Sequence, residues 1–250
     1  MSEYGKITLD PGDDVVAGSY GTWTVTYTVG EKGIAEGGTI RLYTEADSDR
    51  AMPQMDDPAG EDYLTVQAPT DARVGVLVQS VLSIVFTVNG RALKPGEQVA
   101  VTYGDRSQGG PGFRSQTFME ARHYCWVDVD VEGNGNRVTL PDPPFVSIVG
   151  GEAVKLVVNM PSTVSADQDF RIQVKAEDAW GNPAMAYRGT VNLEGGTVRV
   201  SEQVLTFTEA DQGVRWMVGC RVSEEGVHRL WAEDQAAGLQ VGSGSAPTPD

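Results

Sequence analysis

Gly21-Thr-Trp-Thr-Val-Thr-Tyr-Thr-Val29 sets threonine against large apolar or aromatic residues at every second position. A period of two in β-branched and aromatic side chains marks a strand with one buried face. Trp23 and Tyr27 share a parity and are expected in a core. Gly30-Glu-Lys-Gly33 turns the chain, and Gly37-Gly38 leads into a second strand, Thr39-Ile-Arg-Leu-Tyr-Thr44. Further strands read at Tyr63-Leu-Thr-Val66, Arg73-Val-Gly-Val-Leu-Val78, Val81-Leu-Ser-Ile-Val-Phe-Thr-Val88 and Gln98-Val-Ala-Val-Thr-Tyr103. Asn89-Gly90 is a hairpin dipeptide. Tyr124-Cys-Trp-Val-Asp-Val-Asp-Val131 and Asn136-Arg-Val-Thr-Leu140 flank Gly133-Asn-Gly135 as another hairpin. No segment before Gly150 carries a helical period, so residues 1–144 read as an antiparallel β-sandwich.

Leu140-Pro-Asp-Pro-Pro144 reads as a linker, because prolines fix φ and stiffen the chain. Beyond it, about seven strands follow at regular spacing, among them Asp169-Phe-Arg-Ile-Gln-Val-Lys-Ala176, Tyr187-Arg-Gly-Thr-Val-Asn-Leu193 and Gly226-Val-His-Arg-Leu-Trp-Ala-Glu233. That spacing predicts an immunoglobulin-like sandwich over 145–241, with a flexible tail at 242–250. Trp180, Trp216 and Trp231 are expected as core or corner residues. The fold class is therefore all-β, two antiparallel β-sandwich modules.

The 250 residues include 30 glycines, against a usual share of about 7%, as suits a turn-rich β protein. The formal charge is −16, and both halves are acidic. Such a field repels phosphate backbones, so no nucleic-acid partner is expected. No apolar run reaches the roughly 20 residues of a membrane span. The first residues, Met-Ser-Glu-Tyr-Gly-Lys-Ile, form no secretory leader, so the sequence reads as cytoplasmic. Cys125 and Cys220 fall in different halves and read as buried free thiols.

Two stretches lack any period. Residues 45–62 fill with acids, and residues 103–122 open with Tyr103-Gly-Asp-Arg-Ser-Gln-Gly-Gly-Pro-Gly-Phe-Arg-Ser-Gln-Thr-Phe-Met-Glu120. In the acidic stretch, Asp47, Asp49, Asp56 and Asp57 could hold Ca²⁺ or Mg²⁺ if folded together; a solvated acidic loop is the alternative. Asp128-Val-Asp-Val-Glu-Gly-Asn134 starts like a calcium loop, but Thr139 stands where a bidentate Glu is needed, and the alternating valines suit a strand. His123 and His228 lie in different modules, and no zinc spacing, nucleophile elbow or phosphate loop exists. In residues 103–124, Arg106 and Arg114 could fork a small anionic ligand. Asp105, Glu120, His123 and Tyr124 could then supply acid–base groups. Equally, Asp105–Arg114 and Glu120–Arg106 pairs could pin a long loop to the sandwich.

The second half resembles bacterial immunoglobulin-like and filamin-type repeats through Pro161-Ser-Thr-Val164, Asp178-Ala-Trp-Gly-Asn-Pro183, Arg188-Gly-Thr-Val191 and Gly226-Val-His228. Three stretches carry a second resemblance. They are Ala17-Gly-Ser-Tyr-Gly-Thr-Trp-Thr-Val-Thr-Tyr-Thr-Val-Gly30, Pro53-Gln-Met-Asp-Asp-Pro58, and Tyr103-Gly-Asp-Arg-Ser-Gln-Gly-Gly-Pro-Gly112 with Arg114 and Gln116-Thr-Phe118. Through them the chain is similar to the N-terminal β-rich region of the bacterial family called domain of unknown function 3604. Members of that family continue into a metal-dependent phosphoesterase domain of the polymerase-and-histidinol-phosphatase type. The Gly-Asp-Leu-His-type motif that would open that domain is not found here, so its activity is not expected of this sequence.

The first expectation is a non-catalytic accessory or interaction protein, without a cofactor, working through a protein partner, its own oligomer or a small ligand. The second is an enzyme of an unrecognised type, a lyase or hydrolase acting on a small anionic substrate where loops 45–62 and 103–124 meet.

Overall fold

A computed structural model describes residues 2–45 and 49–240. Asp47 and the tail at 242–250 lie outside the described residues. The chain divides into two units, Met1–Ile148 and Val149–Asp250.

The first unit contains β1 (Lys6–Asp10), β2 (Val15–Val16), β3 (Tyr20–Gly21), β4 (Trp23–Thr28), β5 (Thr39–Tyr43), β6 (Leu64–Gln67) and β7 (Arg73–Ser80). It continues with β8 (Ser83–Asn89), β9 (Gln98–Tyr103), β10 (Phe113–Arg114), β11 (Glu120–Tyr124), β12 (Trp126–Asp130), β13 (Val138–Thr139) and β14 (Phe145–Val149). The threonine alternation does what its period requires. Val25 and Tyr27 of β4 are buried while Thr24, Thr26 and Thr28, which alternate with them, are only half-buried. The sheets β1-β4-β9-β6 and β13-β12-β5-β8-β7 enclose the main core, which includes Tyr27, Phe86, Val101 and Val129. A smaller sheet, β11-β14-β2, covers a separate cluster of Val15, Ala17, Val146 and Ile148. Every pairing in the two large sheets, and that of β11 with β14, is antiparallel.

Three expectations change here. Asn89-Gly90 closes no hairpin: Gly90 takes the positive φ that a turn wants, yet β8 and β9 belong to different sheets. The hairpin partner of β8 is β7, through the turn at Val81-Leu82. The expected strand from Tyr124 to Val131 is broken at Cys125, which ends β11 in one sheet and starts β12 in another. Finally, residues 140–144 do not separate the units. Leu140 is buried in the first core, and β14 pairs with β11, so the second unit starts after 148, not at 145.

The second unit contains β15 (Lys155–Asn159), β16 (Phe170–Glu177), β17 (Thr190–Glu194), β18 (Val198–Arg199), β19 (Val204–Thr206), β20 (Val214–Val222), β21 (Trp231–Asp234) and β22 (Leu239–Gln240). Its sheets run β15-β16-β20-β18 and β19-β17-β21-β22. β15, β16 and β20 thus take the A, B and E places of an immunoglobulin sandwich, and β17, β21 and β22 the C, F and G places. Leu156, Ile172 and Met217 from one sheet share a core with Val191, Leu205 and Ala232 from the other. The tryptophans contradict the expectation. Trp180, Trp216 and Trp231 are 55%, 55% and 52% exposed. Trp216 and Trp231 stand at outward positions of β20 and β21, and Trp180 sits in the turn that Asp178 organises. Parity had two readings in these strands, and the smaller residues Met217 and Ala232 took the inward one.

Candidate functional site

The glycines of residues 103–120 let backbone lie against backbone. Gly104 has φ +68, and a Cβ there would stand 2.2 Å from the Phe113 nitrogen and 2.4 Å from the Gly21 carbonyl oxygen. Gly104 N–H donates to Tyr63 O at 2.7 Å, and Asp62 N–H donates to Gly112 O at 2.9 Å. The two loops are therefore interlocked. Arg114 N–H donates to Asp62 Oδ1 at 2.8 Å, and its Nη2 donates to Asp49 O at 3.0 Å. Thr117 donates its N–H and hydroxyl to the two oxygens of Asp49, at 2.8 and 2.6 Å. Gln54 organises the acidic loop from within. Its Oε1 accepts from the N–H groups of Asp56 and Asp57, and its Nε2 donates to Asp57 O and Glu61 O.

Several candidates are thereby spent on structure. Asp105 accepts from Ser107 N–H and the Thr65 hydroxyl, both at 2.8 Å, which hold its carboxyl below the usual range. Arg106 Nη2 donates to Tyr20 O at 2.9 Å. The expected Asp105–Arg114 and Glu120–Arg106 pairs are replaced by these bonds, so the two arginines form no fork. Of the proposed metal ligands, the three that are described, Asp49, Asp56 and Asp57, do not converge either. Asp49 holds Thr117, Asp57 Oδ1 accepts from Ala59 N–H, and Asp56 gives its N–H to Gln54. Among the described residues no three His, Cys, Asp or Glu side chains gather as a metal site would need. The calcium-like stretch is a hairpin. Asp130 accepts from the N–H groups of Glu132, Gly133, Asn134 and Gly135. Burial opposes its ionisation, but these donors outweigh it and hold the carboxyl below the usual range.

Glu120, His123 and Tyr124 are different, because they meet at a cavity of about 80 Å³ where the two loops join. His123 and Tyr124 line it; Glu120 stands behind His123. An ordinary strand would send residues 120 and 123 to opposite faces. The register of β11 against β14 shifts between them, and that irregularity puts both on one side. Glu120 Oε2 lies 2.8 Å from His123 Nδ1 and also accepts from Gln116 Nε2 at 2.9 Å. His123 Nε2 lies 3.0 Å from Thr44 Oγ1. Burial lowers the His123 pKa, while Glu120 pulls the other way. The ring is therefore neutral at pH 7, with Nδ1–H donated to Glu120. Tyr124 contributes its carbonyl, 3.1 Å from Thr44 Oγ1, and its ring packs on Trp126 and Phe145.

Opposite this wall, the Arg50 guanidinium lies 4.8 Å from the ring centre of Tyr103 and 4.7 Å from that of Phe113. Burial pushes the Tyr103 hydroxyl up to about 12 and the Cys125 thiol up to about 11. The cavity is lined by members of both core clusters, Val25 and Ile84 from the larger, Val146 and Ile148 from the smaller.

No family model matches this chain, and no curated protein does. Solved structures similar to it include two. The cohesin module of a family 33 glycoside hydrolase from Clostridium perfringens ATCC13124 is 13% identical, with a TM-score of 0.34, covering 59% of this chain and 98% of that one. The type II cohesin dyad of the adaptor ScaA scaffoldin from Acetivibrio cellulolyticus is 10% identical, with a TM-score of 0.29, covering 99% and 100%. Overlaps of this size carry no inference about function.

Thr44, His123 and Glu120 have the hydroxyl–imidazole–carboxylate connectivity that activates nucleophiles elsewhere. Here the Thr44 hydroxyl is 7% exposed as part of a buried residue and has a backbone carbonyl as second acceptor. Thr44 N–H is taken by Leu82 O at 3.0 Å, so it offers no oxyanion donor. The arrangement suits a polar wall better than a nucleophile. Thr44, Arg50, Gln54 and Gln116 had no signal in the sequence beyond lying at the ends or inside of the unpatterned loops. Among the described residues no helix is long and apolar enough to cross a membrane.

Proposed function

We propose that this chain is a non-catalytic binding protein whose second unit contacts a protein partner. The observation that carries the reading is the exposure of Trp216 beside Val218, which is 69% exposed, on the outer face of an otherwise well-packed sheet. Asn159, Gln173 and Trp216 form one cross-strand row, with Asn159 Nδ2 donating to Gln173 Oε1 at 2.8 Å. The Arg171 guanidinium lies 4.7 Å from the Trp216 ring centre. A large aromatic held in place beside amide groups is the composition of an interface centre, where Trp and Arg are enriched. Kinship with the phosphoesterase-bearing family, and an accessory role beside such a domain, form part of the proposal on the strength of the sequence stretches alone.

A photo-crosslinking amino acid at position 218, introduced in the producing cell, tests it. A discrete adduct is expected, lost in Trp216→Ser and absent when the same group is placed at exposed Glu233 instead. A smear of adducts unaffected by Trp216→Ser would overturn the reading.

A further inference from the structure

The strand β7 stands at one end of the sheet β13-β12-β5-β8-β7, and among the described residues it pairs with β8 alone. Every second residue of such an edge strand turns its N–H and C=O away from its neighbour, unpaired. β7 is eight residues long, whereas every other edge strand among the described residues has five or fewer. Folded proteins protect long edges with proline, charges or bulges. Arg73-Val-Gly-Val-Leu-Val-Gln-Ser80 has no proline and no charge after Arg73, and its one irregularity, between Val78 and Ser80, sits at the turn. Its core-facing residues are also short of a neighbour. Val74, Val76 and Val78 are half-buried, while Val88, Phe86 and Ile84, their partners on β8, are at most 2% exposed. On the other face Leu77 is 60% exposed.

We propose that β7 pairs antiparallel with β7 of a second copy of this chain, joining two five-stranded sheets across a two-fold axis at Leu77. In that register Leu77 lies opposite Leu77 of the second copy, and Val76 opposite Val78. Each face of the joined sheet therefore continues its own kind, and β-branched side chains meet across the new seam. Charge is what favours a second copy. Two chains of formal charge −16 repel, so they associate best where acids are absent. Residues 72–90 contain no acid, and Arg73 is their only charged side chain. At ~3.4 Å per residue, the axis keeps the two Arg73 positions about 27 Å apart, at opposite ends of the paired strands. The contact lies in the first unit and is independent of the Trp216 surface, so either can fail alone.

Sedimentation equilibrium of the whole chain tests it. A monomer–dimer equilibrium is expected, half-associated at or below about 100 µM. Leu77→Lys sets two ammonium groups at the axis and should weaken the dimer at least about tenfold, even though it lowers the net negative charge. Because Leu77 is exposed, the urea midpoint of that variant should stay near the wild-type value. Trp216→Ser, on the surface proposed for another partner, should leave the dimer unchanged. Hydrogen exchange of the wild type needs no variant. Amides of residues 73–80 should slow as concentration rises through the association range, while those of β6, an edge strand of the other large sheet, do not. A monomer at about 500 µM, a dimer insensitive to Leu77→Lys, or one lost in Trp216→Ser would overturn the proposal. So would a dimer that leaves exchange at 73–80 unchanged, or protection of this edge only when a different protein is added. Should Leu77→Lys fail to fold, the exchange measurement still decides.

Discussion

His123 Nδ1 lies 2.8 Å from Oε2 of Glu120, and the irregular register of β11 is what allows it. The pair has a consequence for pH. Burial holds the His123 pKa below its ordinary value even with Glu120 beside it. As pH falls past about 6.5 the unfolded chain takes up the proton first, so the fold loses stability there and levels off below the folded pKa. His123→Gln removes this contribution. Urea midpoints at pH 8 and pH 5.5 should fall further in the wild type than in the variant; equal falls would contradict the assignment.

Gly104→Ala should be among the most damaging single changes in the first unit. The position combines φ +68 with backbone atoms at 2.2 and 2.4 Å from any Cβ. We expect a loss of about 2–4 kcal/mol. Gly37→Ala is the control: φ is +87, but nothing lies within 4 Å. It should cost only about 1 kcal/mol, the backbone term alone. Denaturant unfolding of both variants separates crowding from conformation.

In the second unit, Asp178 is 2% exposed and accepts from the N–H groups of Gly151, Trp180 and Asn182 and from Asn182 Nδ2. Burial opposes its charge, but the donors prevail and its carboxyl sits below the usual range. Asp178→Ala leaves those donors unmet and should cost about 3 kcal/mol at pH 7. A depressed folded pKa gives stability that is present above the unfolded value and lost as pH falls through the folded one. The gap between wild type and variant should therefore shrink below about pH 4.

Both cysteines should be inert while the protein is folded. The Cys125 thiol is pushed up to about 11 and Cys220 is fully buried with a raised pKa. Thiolate is the reactive form. A disulfide-exchange reagent at pH 8 should titrate no thiol in the native protein and two after denaturation. Rapid native labelling of Cys125 would mean that the cavity wall opens.

Period-two alternation made β4, β5 and β9 readable, because one face of each meets a core. It could not reveal that β8 and β9 lie in different sheets, since Asn89-Gly90 supplies the same positive φ to a crossover as to a hairpin. Tryptophans misled for a related reason: alternation says that two faces differ, not which faces inward, and size favoured the wrong one at Trp216 and Trp231. The site was legible as a place, the meeting of the two unpatterned loops. Its chemistry was not. Arg106 and Arg114 drew notice as charges, yet they serve backbone carbonyls. The polar wall instead uses Thr44 and Gln116, whose partners are set by a strand irregularity that no local pattern announces.

The interlock between residues 49–62 and 103–117 also bears on engineering. Each loop presents its backbone as the other's hydrogen-bonding surface, through Asp62 to Gly112 and Arg114 to Asp62. Neither can be grafted onto another scaffold or lengthened by itself. With residues 16–22, which pair with Phe113–Arg114 and bond to Ser115 and Gln116, they form one inherited unit, so a crossover at the β7–β8 turn would part the interlocked loops, whereas one in the turn at residues 132–135 would leave them together.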